Sequence, residues 1–169
     1  MATSLHDFCK WLSETPLSLL IQNVSWIIPT VQSIHILCVA IVFSSALMLD
    51  LRLLSVIGRQ APVAEYGARF LRWIWFTLIV LLATGTILII AEPARSLQNP
   101  SFQIKMVLLI LAMVATGIVQ RRLAADPGYW ESTAGRRTRG RVIAVVSLML
   151  WVGIIFAGRW IAYTNTAAD

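Results

Sequence analysis

Hydrophobic and charged positions alternate along the chain in long blocks. Four runs contain no Asp, Glu, Lys or Arg, and they extend from about Ile27 to Leu49, Trp73 to Ala91, Met106 to Gln120 and Val142 to Gly158. Each is long enough, or nearly so, to cross the ~30 Å hydrocarbon core of a bilayer. Because a segment in lipid must satisfy its own backbone hydrogen bonds, all four are predicted to be helices. The predicted spans are residues 27–51, 73–91, 103–120 and 142–162.

Composition agrees with this pattern. Of the 169 residues, 58% are hydrophobic and 13% charged, whereas a soluble domain has roughly 45–50% and about 25%. The spans account for about half the chain, so no second, aqueous domain is expected. We therefore predict an all-α membrane protein in which residues 1–169 form one four-helix transmembrane bundle. This composition excludes a disulfide scaffold, a disordered chain and a conventional soluble enzyme.

Residues 1–24 are predicted to form a short amphipathic helix at the membrane interface, interrupted at Pro16. Apolar residues recur there at helical spacing opposite charged ones, namely Leu5, Phe8, Cys9, Trp11 and Leu12 against Asp7, Lys10 and Glu14. The segment has no basic start, and the apolar run after it is too long for a secretion signal, so we do not expect cleavage.

The basic residues predict an orientation. Ten of the fourteen Lys and Arg residues fall between the first and second spans or between the third and fourth: Arg52, Arg59, Arg69, Arg72, Arg121, Arg122, Arg136, Arg137, Arg139 and Arg141. Because cytoplasmic loops of bacterial membrane proteins are enriched in Lys and Arg, both termini are expected on the periplasmic side of the inner membrane. The net charge of +6 therefore indicates orientation in the lipid bilayer and does not indicate nucleic-acid binding.

Three ionisable side chains are predicted at one depth beneath the periplasmic surface. The fifteen residues between Lys105 and Arg121 cover only ~22 Å, and the seventeen between Arg141 and Arg159 only ~25 Å. Lys105 and Arg159 must then lie in or at the edge of the hydrocarbon, and His35 lies ~13 Å beyond Trp26 in the first span. Because such groups are costly in lipid, their convergence indicates a site.

Structural explanations remain open for each group. Lys105 and Arg159 have long stems and can extend to the headgroups. Glu92, at the outer end of the second span, can pair with Arg95. His35 is too short to reach the headgroups, so it must hydrogen-bond inside the bundle or bind a ligand.

One ligand would use all three groups, namely haem b. His35 would be its axial metal ligand, while Lys105 and Arg159 would bind the two propionates. A second axial ligand is not evident. His6 lies on the surface helix, and methionines Met106, Met113 and Met149 are alternatives, as are a five-coordinate haem and a haem shared across a homodimer. Gly153 and Ala157 offer a small-residue face for such a dimer.

Other chemistry is not indicated. Cys9 and Cys38 lie in different environments and are expected to be free thiols. The sequence has no metal-spaced Cys or His cluster, glycine-rich phosphate loop or nucleophile elbow, which disfavours hydrolase and nucleotidase activity. Asp50 is expected to pair with Arg52 at the cytoplasmic boundary, or else with Arg72, Arg121 or Arg122. The segment from Asp126 to Arg137 is expected to be a polar turn.

Three segments resemble a family of small, four-span bacterial inner-membrane proteins of unassigned function. They are His35 to Leu54 (HILCVAIVFSSALMLDLRLL), Asn99 to Leu111 (NPSFQIKMVLLIL) and Ala157 to Tyr163 (AGRWIAY). A first-span histidine with a leucine-rich basic end and a third-span lysine is also similar to HemJ-type protoporphyrinogen oxidases and to CopD-like copper-resistance membrane proteins. In the HemJ type the histidine is associated with haem or porphyrin and the lysine with activity. That resemblance implies such roles for His35 and Lys105.

The sequence thus predicts a haem-binding electron-transfer subunit that connects a periplasmic redox partner to the membrane quinone pool. The alternative is a cofactor-free anchor or assembly subunit of a larger membrane complex, in which His35, Lys105 and Arg159 bond to neighbouring helices or to a lipid phosphate. A small-solute transporter is a third hypothesis, disfavoured because no span is broken by a proline at its centre.

Overall fold

The structure is a computed structural model that describes residues 2–161, and within them it contains seven helices and no strand. Four helices are long and apolar enough to cross a membrane, and three short ones flank them. The helices are α1 (Ala2–Ser13), α2 (Pro16–Asn23), α3 (Ile27–Leu53), α4 (Val63–Ala91), α5 (Pro93–Leu97), α6 (Pro100–Ala125) and α7 (Ala134–Trp160). The predicted fold class is confirmed, and the protein is a multi-pass membrane protein. Residue 162, the predicted end of the last span, lies outside the described residues.

Short polar side chains set where several helices begin. The Thr15 side chain accepts a hydrogen bond from the backbone N–H of Ser18, and Pro16 occupies the first turn of α2. Asn99 and Pro100 start α6 in the same way. Proline suits this position because the first N–H groups of a helix have no partner within the helix. Pro16 therefore starts a second helix, and the predicted single interfacial helix is two.

The four long helices form a ring in which each packs against its neighbours in sequence and α7 closes against α3. Helices α1, α2 and α5 lie at one end, which we call the cap end. The loops between α3 and α4 and between α6 and α7 lie at the other, which we call the arginine end. The cap end corresponds to the predicted periplasmic side.

Helix α2 is tied to the end of α4. The Ser18 hydroxyl, which is fully buried, donates to the backbone oxygen of Ile90 at 2.7 Å. The Gln22 amide donates to the Ser18 hydroxyl and to the oxygen of Ala91, both at 2.9 Å. Cys9 of α1 is also buried. The N-terminal helices therefore cover the cap end of the bundle.

The hydrophobic core lies mainly in the arginine half. Within the described residues, α3 buries nothing before Cys38, α6 nothing before Ala112 and α7 nothing after Ile154. Val42, Ala112 and Ala144 are completely buried at the centre of the bundle. Toward the cap end, the buried residues of α3 and α7 stop at Cys38 and Ile154, whereas those of α4 continue through Thr84 to Ala91. Side chains of the other three helices are therefore less closely packed there.

Two further expectations need correction. The segment from Asp126 to Arg137 is not simply a polar turn, because Trp130 packs into the core and α7 already begins at Ala134. Gly153 does not offer a free face to a second copy, because a Cβ built on it would lie 3.1 Å from Cδ1 of Leu108 in α6. Both features depend on contacts between distant segments, which the local composition does not contain.

Candidate functional site

His35 is held by a hydrogen bond between α3 and α4. It lies eight residues after the start of α3, ~12 Å along the helix. Its Nδ1 is 2.8 Å from the Thr84 hydroxyl oxygen. That hydroxyl also lies 2.8 Å from the backbone oxygen of Val80, which can only accept a hydrogen bond.

This geometry favours one tautomer of the imidazole. The single Thr84 hydroxyl proton is donated to Val80, so the Thr84 oxygen accepts from the Nδ1–H of His35. A neutral imidazole carries only one N–H, and we therefore assign Nε2 as the nitrogen with the free lone pair. Metal-binding histidines are typically oriented in this way, with one ring nitrogen hydrogen-bonded and the other coordinating.

Glycine lies beside the imidazole. A Cβ built on Gly85 would be 3.6 Å from Cε1 of His35, so α4 presents bare backbone to the ring. His35 is half-buried, although it belongs to a membrane-spanning helix. The ring is thus anchored on one side and accessible in part on the other.

Lys105 reaches the same region from α6. It lies five residues after Pro100 and is half-buried. Its side chain runs along α7, because a Cβ built on Gly158 would be 3.6 Å from Nζ and 3.8 Å from Cδ and Cε. His35 and Lys105 are close enough to interact electrostatically. The structure thus brings together the predicted imidazole and one of the two predicted cations.

Arg159 is more exposed than Lys105. It follows Gly158 in the last turn of α7, at the same end of the bundle, and its side chain is exposed. Glu92 pairs with Arg95 at 2.7 Å, as the structural explanation of that residue expects.

Among the alternative axial ligands, two lie on exposed surfaces. His6 is exposed on α1, with Nδ1 3.4 Å from the Gln98 amide nitrogen. Met149 is 69% exposed on α7, and Met113 packs against the core cluster of the arginine half. Met106 is half-buried next to Lys105.

The donor set fits a haem with one protein ligand. Within residues 2–161 no group of three or more His, Cys, Asp or Glu side chains could hold a bare metal ion. Haem iron needs fewer protein ligands, because the porphyrin supplies four nitrogens and the protein one or two axial groups. His35 offers one such nitrogen and Lys105 a cation nearby. The residues therefore suit a five-coordinate haem, or one whose second ligand comes from another subunit.

The arginine end differs from the sequence prediction. Arg52 does not pair with Asp50; it donates to the backbone oxygen of Ala61 at 2.7 Å and forms an ion pair with Glu131. Asp50 is buried, and its Oδ2 has no hydrogen-bond partner among the described residues. Asp50 instead contacts the Ser147 side chain of α7. Successive residues of a helix point in different directions, which separates Asp50 from Arg52.

Sequence reasoning also missed Thr84. Thr84 stands between Ala83 and Gly85, and the sequence prediction did not include it in the site. Thr84 lies seven residues from the end of α4, or ~10 Å, which nearly equals the depth of His35. Comparing the depth of Thr84 in α4 with that of His35 in α3 could have indicated that these two side chains meet.

Comparisons with known proteins place the chain in a family. Neither the curated proteins nor the solved structures contain a significant match. A family of unknown function, DUF6644, matches residues 8–164, a range that includes all four membrane-spanning helices in full. The chain belongs to the DUF6644 family.

Proposed function

We propose that the protein is a membrane-bound electron-transfer subunit that binds haem b through His35 in the cap half of the bundle. The observation that carries the proposal is the hydrogen bond from His35 to Thr84, which fixes Nδ1 and leaves Nε2 available. When bound, haem b would supply one-electron oxidation and reduction. The expected partners are a periplasmic redox protein and membrane quinone.

Each residue has a distinct task in this proposal. Thr84 holds the imidazole in one orientation by accepting a hydrogen bond from its Nδ1–H, which makes the opposite nitrogen a better ligand. Gly85 leaves the ring edge uncovered. Lys105 supplies a positive charge that can neutralise a propionate, and Arg159 is the predicted second cation at this end.

The loose packing of the cap half supports the proposal. A flat prosthetic group needs a gap between helices, and the arginine half is filled by the core cluster. Within the described residues, α3 and α6 bury no side chain between the cap end and the level of His35 and Lys105, and α7 buries only Ile154 near that level. Apolar surroundings that exclude water are also the usual setting in which axial ligation sets the potential of a haem.

The deciding experiment is the absorption spectrum of the full chain, purified in mild detergent from haem-replete cells. We expect a Soret band in the wild type that is lost in His35→Ala. His6→Ala is the matched control, because it removes the other histidine and should leave the spectrum unchanged. Folded wild-type protein without a Soret band, or a His35→Ala variant that keeps it, would refute haem ligation by His35.

A second variant tests the role of Thr84 as a positioning residue. Thr84→Val keeps the side-chain shape and removes the acceptor for Nδ1–H. We expect the Soret band to remain and the midpoint potential to rise, because a less basic imidazole stabilises the oxidised iron less. An unchanged potential would show that the bond does not act on a bound haem.

The same hydrogen bond favours one competing function, that of a cofactor-free membrane subunit of a larger complex. In that case the His35–Thr84 pair only ties α3 to α4, as a satisfied structural histidine would. His35→Ala should then lower the thermal unfolding midpoint without any spectral change.

A further inference from the structure

The arginine end contains a cavity of about 430 Å³ that the proposed haem site does not use. It opens to the surface and is lined by the end of α3, the loop that follows it, the start of α4, the loop before α7 and the first turns of α7. Its size falls within the usual range of small-ligand sites. Four arginines line it, namely Arg52, Arg59, Arg137 and Arg141, and the only acidic residue in the lining is Glu131. The formal charge of the lining is therefore +3.

One of these arginines is built into the protein. Arg52 is only 5% exposed, donates to the Ala61 backbone oxygen and pairs with Glu131. This ion pair uses the one carboxylate of the lining. Arg52 therefore fixes the wall of the cavity, and its charge is already compensated.

The other three arginines have no carboxylate in the cavity. Arg59 donates from Nε to the Ser55 backbone oxygen at 2.7 Å. Arg137 donates from Nε and Nη2 to the Glu131 backbone oxygen, at 3.2 and 3.0 Å. Arg141 makes no hydrogen bond or ion pair with the residues described. Carbonyl oxygens orient a guanidinium but leave its full charge in place.

A buried donor provides an independent indication of a ligand. Trp130 lines the cavity and is 3% exposed, yet its indole Nε1 has no hydrogen-bond partner within the described part of the chain. An indole N–H can only donate, so an acceptor must come from outside this set of residues. Leaving such a donor unsatisfied is unfavourable, and an anion oxygen would remove that cost.

We propose that this cavity binds a phosphate group. Guanidinium groups match phosphate oxygens in geometry and charge, and together with the indole N–H they supply only donors. The cavity lies at the end of a membrane-spanning helix, the level of the lipid phosphates. Basic sites between membrane helices at this level commonly bind anionic lipid headgroups. The phosphate could belong to an anionic phospholipid or to a soluble phosphate compound.

The test uses the delipidated full chain in mild detergent and follows its thermal unfolding midpoint. One arm adds phosphatidylglycerol against a phosphatidylcholine background, and the other adds inorganic phosphate against chloride at equal ionic strength. A ligand that binds only the folded state raises the midpoint, which gives an apparent dissociation constant for each probe.

Two double variants separate a specific site from general charge attraction. Arg137→Gln with Arg141→Gln removes two cavity arginines. Arg69→Gln with Arg121→Gln removes two exposed arginines at the same end that do not line the cavity. The cavity variant should weaken binding of the probe about tenfold or more, since hydrogen bonds to charged groups typically contribute at least that factor. The control should change it less than about twofold.

The outcomes are distinct. Binding of phosphatidylglycerol alone indicates a lipid site, and binding of both probes indicates recognition of the phosphate group itself. Trp130→Phe removes the indole donor and also reduces packing in the core, so the midpoint of the probe-free variant should fall. Measured from that lower midpoint, stabilisation by the same probe should be smaller than in the wild type. No stabilisation by either probe, or an equal loss in the control variant, would overturn the proposal. None of these results depends on haem.

Discussion

The ion pair between Arg52 and Glu131 gives the strongest stability prediction, because it joins a buried charge to a loop 79 residues away in sequence. The Arg52 side chain is 6% exposed and the Glu131 side chain 36%. Removing one partner of a fully buried pair costs about 3–5 kcal/mol, because the other charge stays behind in a low-dielectric environment. Glu131 is partly solvated, so we expect Glu131→Ala to cost about 2–4 kcal/mol.

The assay is thermal unfolding of the purified protein in mild detergent. For a chain of this size, that loss corresponds to a midpoint lower by roughly 5–15 °C. The matched control is Glu65→Ala, which removes a carboxylate from the exposed pair with Arg69, where the two groups are 3.7 Å apart. Exposed pairs contribute about 0–1 kcal/mol, so the control should barely shift the midpoint.

A comparison of the two variants decides whether the pair matters. If Glu131→Ala lowers the midpoint no more than Glu65→Ala does, Glu131 does not compensate the buried charge of Arg52. A further check replaces both partners with apolar residues, as Arg52→Met with Glu131→Leu. This double variant should recover much of the loss, because no buried charge remains.

Two further predictions concern backbone geometry and the cover of the cap end, both measured by the same unfolding assay. Gly58→Ala should cost about 2 kcal/mol or more, because its φ is +58° and a Cβ there would lie 2.2 Å from the Tyr66 hydroxyl oxygen. Gly117→Ala is the control; it lies in α6 with nothing within 4 Å of a new Cβ, and it should gain about 0.5–1 kcal/mol. Ser18→Ala should cost about 1–2 kcal/mol, because it leaves the partly buried Ile90 carbonyl of α4 without its donor. The exposed Ser33→Ala, which loses only a bond within its own helix, should cost less than about 0.5 kcal/mol.

The depth of each residue in the membrane could be predicted from the sequence, because depth along a helix depends only on residue count. The four uncharged runs identify the spans, and counting from their ends places His35 and Lys105 at similar levels. Each uncharged run ends at a charged residue, whereas the helices continue past these residues and are longer than the runs. Helix α4 begins at Val63, before Trp73, and α7 begins at Ala134, before Val142. A helix can continue beyond the hydrocarbon with charged side chains in the headgroup region.

The direction of each side chain around its helix could not be predicted in the same way. Direction depends on which helices become neighbours and how they rotate against each other, and these are properties of the whole bundle. Asp50 and Arg52 have similar depths but contact different elements, Ser147 of α7 and Glu131 of a loop. Trp130 similarly reaches the core from a segment whose composition is polar.

The unequal distribution of the core explains how one small bundle can carry polar groups at both ends. Interlocking apolar side chains from the centre of the bundle to the arginine end hold the four helices together, and Val42, Ala112 and Ala144 at the centre are fully buried. Because that half supplies the packing, the cap half can leave His35 and Lys105 partly uncovered between helices without loss of the fold. At the arginine end the polar groups lie outside the core, in loops that the Arg52–Glu131 pair attaches to it. A ligand at either end would therefore contact side chains positioned by the same rigid core, while the two sites remain separated by its length.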